Sequence, residues 1–131
     1  MQNTDNRKVF YNLGLWIYAL FYIVAGINHF ISTKIYYAIM PKWLPEHSFL
    51  IYLSGFIEVA LGILLLFKHT RKLAAILIIL MLIAFMPAHV YMIQIAPFML
   101  GKTLVTPFIS WIRLPFQVIF ALWAWHYYRY P

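Results

Sequence analysis

The chain has 131 residues, of which 65% are hydrophobic, 20% aromatic and only 10% charged, with a mean hydropathy of +0.82 and a formal charge of +7. A soluble domain carries about 25% charged residues, so the composition excludes an ordinary water-soluble fold, and the length fits one domain. Cys is absent, which removes disulfides, thiol redox motifs and Cys metal sites. The Lys and Arg residues fall mainly in short segments between apolar runs, a pattern of membrane topology and lipid contact that speaks against nucleic acid as a partner.

A membrane-spanning helix needs about 20 mostly apolar residues. The first candidate covers residues 10–31 and holds no Asp, Glu, Lys or Arg. Arg7 and Lys8 precede it, but the run is too long for a signal peptide and no A-x-A-like cleavage site follows, so it is read as a span. His29 lies at its end. The connection 32–47 contains Pro41-Lys42-Trp43-Leu44-Pro45 and is flanked by Tyr36 and Tyr37. It is expected to lie on the membrane surface as a cap.

The second span covers 48–67 and is broken only by Glu58. Residues 68–72 then read as a tight turn, which makes the second and third spans antiparallel neighbours. The third span, 73–95, carries Pro87 and His89. The connection 96–107 is bounded by Pro97 and Pro107, with Gly101 between them. The fourth span, 108–128, is broken only by Arg113 and also carries Pro115 and Gln117. Its aromatic end, Trp123 to Tyr130 with Arg129, has the composition of an interfacial belt, and Trp43, Tyr52 and Trp111 fit the same role at the other face. The expected fold class is all-α, an integral membrane four-helix bundle with residues 1–131 as one transmembrane domain.

Six Lys and Arg residues fall on the side of the two termini and the second connection, and three on the opposite side. The richer side is expected to be cytoplasmic, with both termini inside, in a bacterial inner membrane.

Five polar side chains stand where a membrane protein tolerates them least: His29, Glu58, His89, Arg113 and Gln117. Ionisable groups at membrane depth are costly, face the bundle interior, and mark functional sites. At about 1.5 Å per residue, Glu58 falls near the middle of its span and Arg113 about one turn further outward. This predicts a Glu58–Arg113 pair. Helical spacing places Ser54, Glu58 and Gly62 on one stripe, Arg113, Gln117, Ala121 and Ala124 on another, and Tyr18, Tyr22, Ala25, Gly26 and His29 on a third. Phe85, Ala88, His89 and Met92 share a fourth. Pro87 and Pro115 each remove a helical hydrogen bond beside the cluster. The reading is an outer-side cavity lined by the five polar residues, walled by Tyr22 and Phe85 and covered by the Pro41 to Pro45 segment.

Plainer readings stand beside this one. A purely neutralising Glu58–Arg113 pair is one such reading; His29 is shallow enough to be interfacial, His89 suits a satisfied interior imidazole, and Gln117 suits interhelical hydrogen bonding. A two-His-one-carboxylate metal site from His29, His89 and Glu58 is disfavoured by the depth of Glu58. A haem held by His29 and His89 is disfavoured by Arg113 nearby.

Four segments resemble the DoxX-like family of small four-helix membrane proteins: Ala25-Gly26-Ile27-Asn28-His29-Phe30, Tyr52-Leu53-Ser54-Gly55-Phe56-Ile57-Glu58, Pro87-Ala88-His89-Val90-Tyr91-Met92 and Arg113-Leu114-Pro115-Phe116-Gln117. The prolines of Met40-Pro41-Lys42-Trp43-Leu44-Pro45 fit as well. The resemblance spans residues 29–125. It implies a four-helix membrane bundle, and for some relatives a setting in quinone-linked redox complexes or receptor assembly. The family commonly has Asn where this chain has His89, so the resemblance implies no metal or haem role there.

Two classes of function follow. In the first, the five residues bind the polar head of a quinone-like or other amphipathic molecule, and the protein is a redox-associated subunit. Nothing in the chain carries electrons without a cofactor, so the sequence leaves open whether it is an enzyme. In the second, the protein is a non-catalytic adaptor or assembly chaperone with a structural polar core. Membrane lipid is one expected partner and a membrane or redox protein another. A homo-oligomer stays open as the assembly state.

Overall fold

Apolar length decides the main elements. In the computed structural model, which describes residues 2–100 and 102–131, the helices are α1 (Gln2–Ile31), α2 (Thr33–Ile39), α3 (His47–Leu66), α4 (Lys68–Ala84), α5 (Met86–Ile95) and α6 (Pro107–Arg129). Two short strands, β1 (Phe98–Leu100) and β2 (Thr103–Val105), pair antiparallel before α6. Four segments are long and apolar enough to cross a membrane: Asp5–Ile31, His47–Leu66, Lys68–Ile95 and Pro107–Arg129. At about 1.5 Å per residue, the 20 residues of α3 cover about 30 Å, the thickness of a hydrocarbon core. The protein is an all-α integral membrane helical bundle.

Its surface agrees. Trp16, Val24, Phe56, Leu80, Ile83, Val118 and Leu122 point outward without polar company, as lipid-facing side chains do. Four passes bring the two termini to the same end. There Tyr11 donates a 2.6 Å hydrogen bond to the Tyr130 carbonyl and packs edge-on against Tyr127.

Several element boundaries differ from the sequence reading, each for a local reason. α1 begins well before residue 10, because the polar tail contains no Pro or Gly to stop a helix. The stretch 68–72 is not a loop. It is the first turn of α4, and the reversal is confined to Phe67, whose backbone is extended. Arg71 explains how so short a turn is stable. The last carbonyls of a helix lack intrahelical partners. Buried Arg71 donates from Nε to Leu65 O at 2.9 Å and from its terminal nitrogen to Leu66 O at 3.1 Å, and Thr70 donates to Leu64 O at 2.6 Å. Replacing Arg71 with Met strands two carbonyls and is expected to cost about 1–3 kcal/mol in a detergent melt; an unchanged midpoint would contradict the capping role.

The third span is divided at Phe85, next to Pro87, which cannot donate to the carbonyl of Ile83. Pro115, in contrast, sits within continuous α6. The connection 96–107 holds the β1–β2 hairpin, which the sequence reading did not foresee; Gly101 lies outside the described residues.

Packing divides the bundle into two halves. Near the termini, Leu15, Tyr18 and Ala19 of α1 meet Leu61 and Leu65 of α3, Ala74, Ala75 and Ile78 of α4, and Ala124 and Tyr127 of α6 in a continuous core. α1 and α3 touch at backbone distance. A Cβ on Gly26 would fall 2.5 Å from Gly55 O, and one on Gly62 would fall 2.8 Å from Ala19 O. α1 and α6 meet through rings: Tyr18 stacks on Trp123 at 4.6 Å and Phe21 on Phe120 at 4.9 Å. The other half, toward α2, encloses a cavity.

Candidate functional site

The cavity has a volume of about 330 Å³ and draws its walls from every long helix. α1 contributes Tyr22, Ala25 and His29, and α3 contributes Ile51, Ser54 and Glu58. Phe85, Ala88, His89 and Met92 come from the α4–α5 break and α5, and Arg113, Phe116, Gln117 and Phe120 from α6. All five polar residues singled out in the sequence therefore face one space, with Tyr22 and Phe85 among its walls. The cover differs from expectation. Tyr36, Ile39 and Met40 of α2 and its end close the site, while the Pro41 to Pro45 stretch is not part of the lining.

The charge pairing also differs. Glu58 does not pair with Arg113. Its Oε2 lies 2.8 Å from His29 Nε2, and both side chains are buried. The contact is an ion pair by proximity; it lacks the alignment of a directed hydrogen bond. The physical reason for the exchange is the α1–α3 contact. A Cβ on Gly55 would sit 2.6 Å from His29 Cβ, so the missing side chain lets His29 come up against α3. Counting rise along separate helices captured depth and missed this lateral approach.

His29 is fixed at its other nitrogen as well. Nδ1 lies 3.0 Å from Ile51 O and 3.1 Å from Ser54 Oγ. A carbonyl only accepts, so Nδ1 carries a hydrogen. The Nε2 of His29 is thereby turned toward Glu58 Oε2.

α2 is held over this pair. The Tyr36 ring lies 4.0 Å from the His29 ring, and Asn28 Nδ2 donates to Tyr36 Oη at 3.1 Å. Burial pushes the Tyr36 hydroxyl above its ordinary range, donation from Asn28 opposes this, and the Glu58 charge adds to it. Tyr36 therefore remains a neutral hydroxyl at the roof. On the floor, Tyr18 donates to Phe120 O at 2.7 Å, so the 3.0 Å contact between the two hydroxyls is a bond from Tyr22 to Tyr18. The Tyr22 oxygen is left able to accept.

Across the cavity Gln117 and His89 touch through Gln117 Nε2 and His89 Nε2. This contact leaves His89 Nδ1 and Gln117 Oε1, both buried, without hydrogen-bond partners among the described residues. Rotating the amide only exchanges which of its atoms is unpaired. Arg113 lies six residues into α6, about 9 Å along the helix. Among the described residues the single ion pair is His29–Glu58, so Arg113 has no carboxylate partner. Also among the described residues, no three His, Cys, Asp or Glu side chains converge as a metal site requires.

A family model described as a domain of unknown function (DUF8561) matches residues 18–128. The chain belongs to this family. No curated protein and no solved structure matches it. The DUF8561 match begins at Tyr18 and ends at Tyr128, so it contains the cavity, its α2 cover and most of the packed half of the bundle, and it excludes the start of α1 with Leu15.

Proposed function

We propose that this DUF8561 protein holds a small amphipathic molecule, quinone-like or another lipid-like compound, inside the membrane and acts as a redox-associated subunit. One observation carries the reading: an apolar-walled cavity of about 330 Å³ at membrane depth into which five polar side chains converge, with buried polar atoms of His89 and Gln117 unpaired. Buried polar groups are paired in nearly all native structures, and each exception calls for a ligand or another account. A dry adaptor core would have closed its own hydrogen bonds. The likeness of the four segments around His29, Glu58, His89 and Arg113 to the DoxX-like pattern supports a redox setting. His89 would then meet the polar head beside Gln117, and the apolar walls would hold the remainder.

The test is native mass spectrometry of protein extracted from its own membrane. The expected result is a stoichiometric adduct of small mass that disappears in Ala88→Trp, whose indole would fill the cavity. Protein without an adduct that instead co-purifies with one membrane protein would overturn the site and favour the adaptor.

The orientation belongs to the same proposal. With six basic residues at the termini end against three at the α2 end, we place both termini in the cytoplasm of a bacterial inner membrane. A Cys introduced at exposed Thr103 is expected to react with an impermeant thiol reagent in intact cells, and one at exposed His69 only after lysis. The reverse pattern would invert the topology.

A further inference from the structure

We infer that the head group this cavity takes is an anion, a carboxylate or a phosphate monoester, and that its single apolar tail leaves sideways along α1. The inference rests on the amphiphile reading above and specifies its ligand. It follows from a charge count around the cavity. Glu58, the carboxylate on the wall, lies 2.8 Å from His29 and is matched to it, not to Arg113. Tyr22 and Tyr36 are neutral hydroxyls, and Gln117 and Ser54 are neutral. Arg113 is therefore a cation on the wall that no described residue compensates. An unpaired charge at membrane depth is costly. A guanidinium meets carboxylate and phosphate oxygens with paired N–H groups. With the amide nitrogen on His89 Nε2, His89 Nδ1 carries the hydrogen and can donate to the same oxygens; with the amide turned, Gln117 Nε2 does so instead. A neutral carbonyl head would leave the charge uncompensated.

The tail route rests on a second feature. An apolar groove on the membrane face of α1, lined by Leu20, Val24, Ile27 and Ile31, shares Phe21, Ala25 and Tyr36 with the cavity wall. The two spaces are thus neighbours across those three side chains. A chain attached to a head at Arg113 can pass between them into the bilayer, so the ligand enters from lipid.

Equilibrium binding to the purified full-length protein in nanodiscs tests both parts, with palmitate, hexadecyl phosphate and hexadecanol as probes. At least one of the two anions is expected to bind about tenfold or more tightly than the alcohol, the difference that one ordinary hydrogen bond to a charged group supplies. Which anion wins tells carboxylate from phosphate. Arg113→Gln should reduce anion binding to the level of the alcohol while leaving alcohol binding in place, which also reports that the variant is folded. Arg113→Lys should retain the preference. Equal binding of all three probes, unaltered in Arg113→Gln, overturns the anionic head and leaves the amphiphile reading standing. Binding of none overturns that reading as well. Val24→Trp, which obstructs the groove outside the cavity, should weaken palmitate and spare octanoate. Equal effects on both would overturn the tail route.

Discussion

Glu58→Leu is expected to destabilise the detergent-solubilised protein by about 3–5 kcal/mol, the usual cost of removing one member of a buried ion pair. His29 cannot turn away to compensate. Its Nδ1 is held by Ile51 O and Ser54, its ring lies under Tyr36, and α3 lies against its Cβ. Glu58→Gln should cost less, because the amide keeps a polar group of the same shape beside Nε2, and about 0.5–1.5 kcal/mol is expected for that exchange. In a double-mutant cycle, His29→Phe with Glu58→Leu should fall well short of the sum of the two single changes. Arg113→Gln with Glu58→Leu should be close to additive, since those two groups are not paired. Additivity in the first cycle and coupling in the second would reverse the pairing described above.

Gly55→Val should lower the melting midpoint by a similar mechanism of position. Its Cβ would meet His29 Cβ at 2.6 Å and the Gly26 carbonyl at 2.8 Å, so a backbone and not a flexible side-chain end must move. Overpacking typically costs about 1–3 kcal/mol, and a contact against backbone belongs at the upper end. The change should also displace His29 and lower ligand occupancy. Gly14→Ala provides the comparison, because its Cβ would lie 3.1 Å from the Tyr127 hydroxyl, a side-chain end that can shift. Equal effects at the two glycines would argue against a tight α1–α3 crossing.

The four spans follow from run length, and the convergence of His29, Glu58, His89, Arg113 and Gln117 follows from the cost of placing polar groups in lipid. Both are properties of one helix at a time. The partner of Glu58 is not. It depends on how closely α1 and α3 approach, which Gly26 and Gly55 set together from different helices. Gly55 stands one position from the Ser54–Glu58–Gly62 stripe, and small residues four or seven apart on facing helices are the cue that would have found it. Arg71 was concealed for a related reason. A basic residue beside a turn satisfies the positive-inside pattern equally well whether it faces water or caps a helix. The hairpin had a weak cue, the apolar Phe98-Met99-Leu100 and the strand-favouring Thr103-Leu104-Val105 on either side of Gly101-Lys102, whose leading Gly suits a two-residue turn.

A high-resolution structure of the protein crystallised from a lipidic mesophase, without added ligand, is expected to show continuous density from the Arg113, His89 and Gln117 side chains past Phe21 and Tyr36 toward the lipid face of α1. A gap-free core in that half of the bundle, or Arg113 turned out to lipid or paired with Glu58, would contradict it.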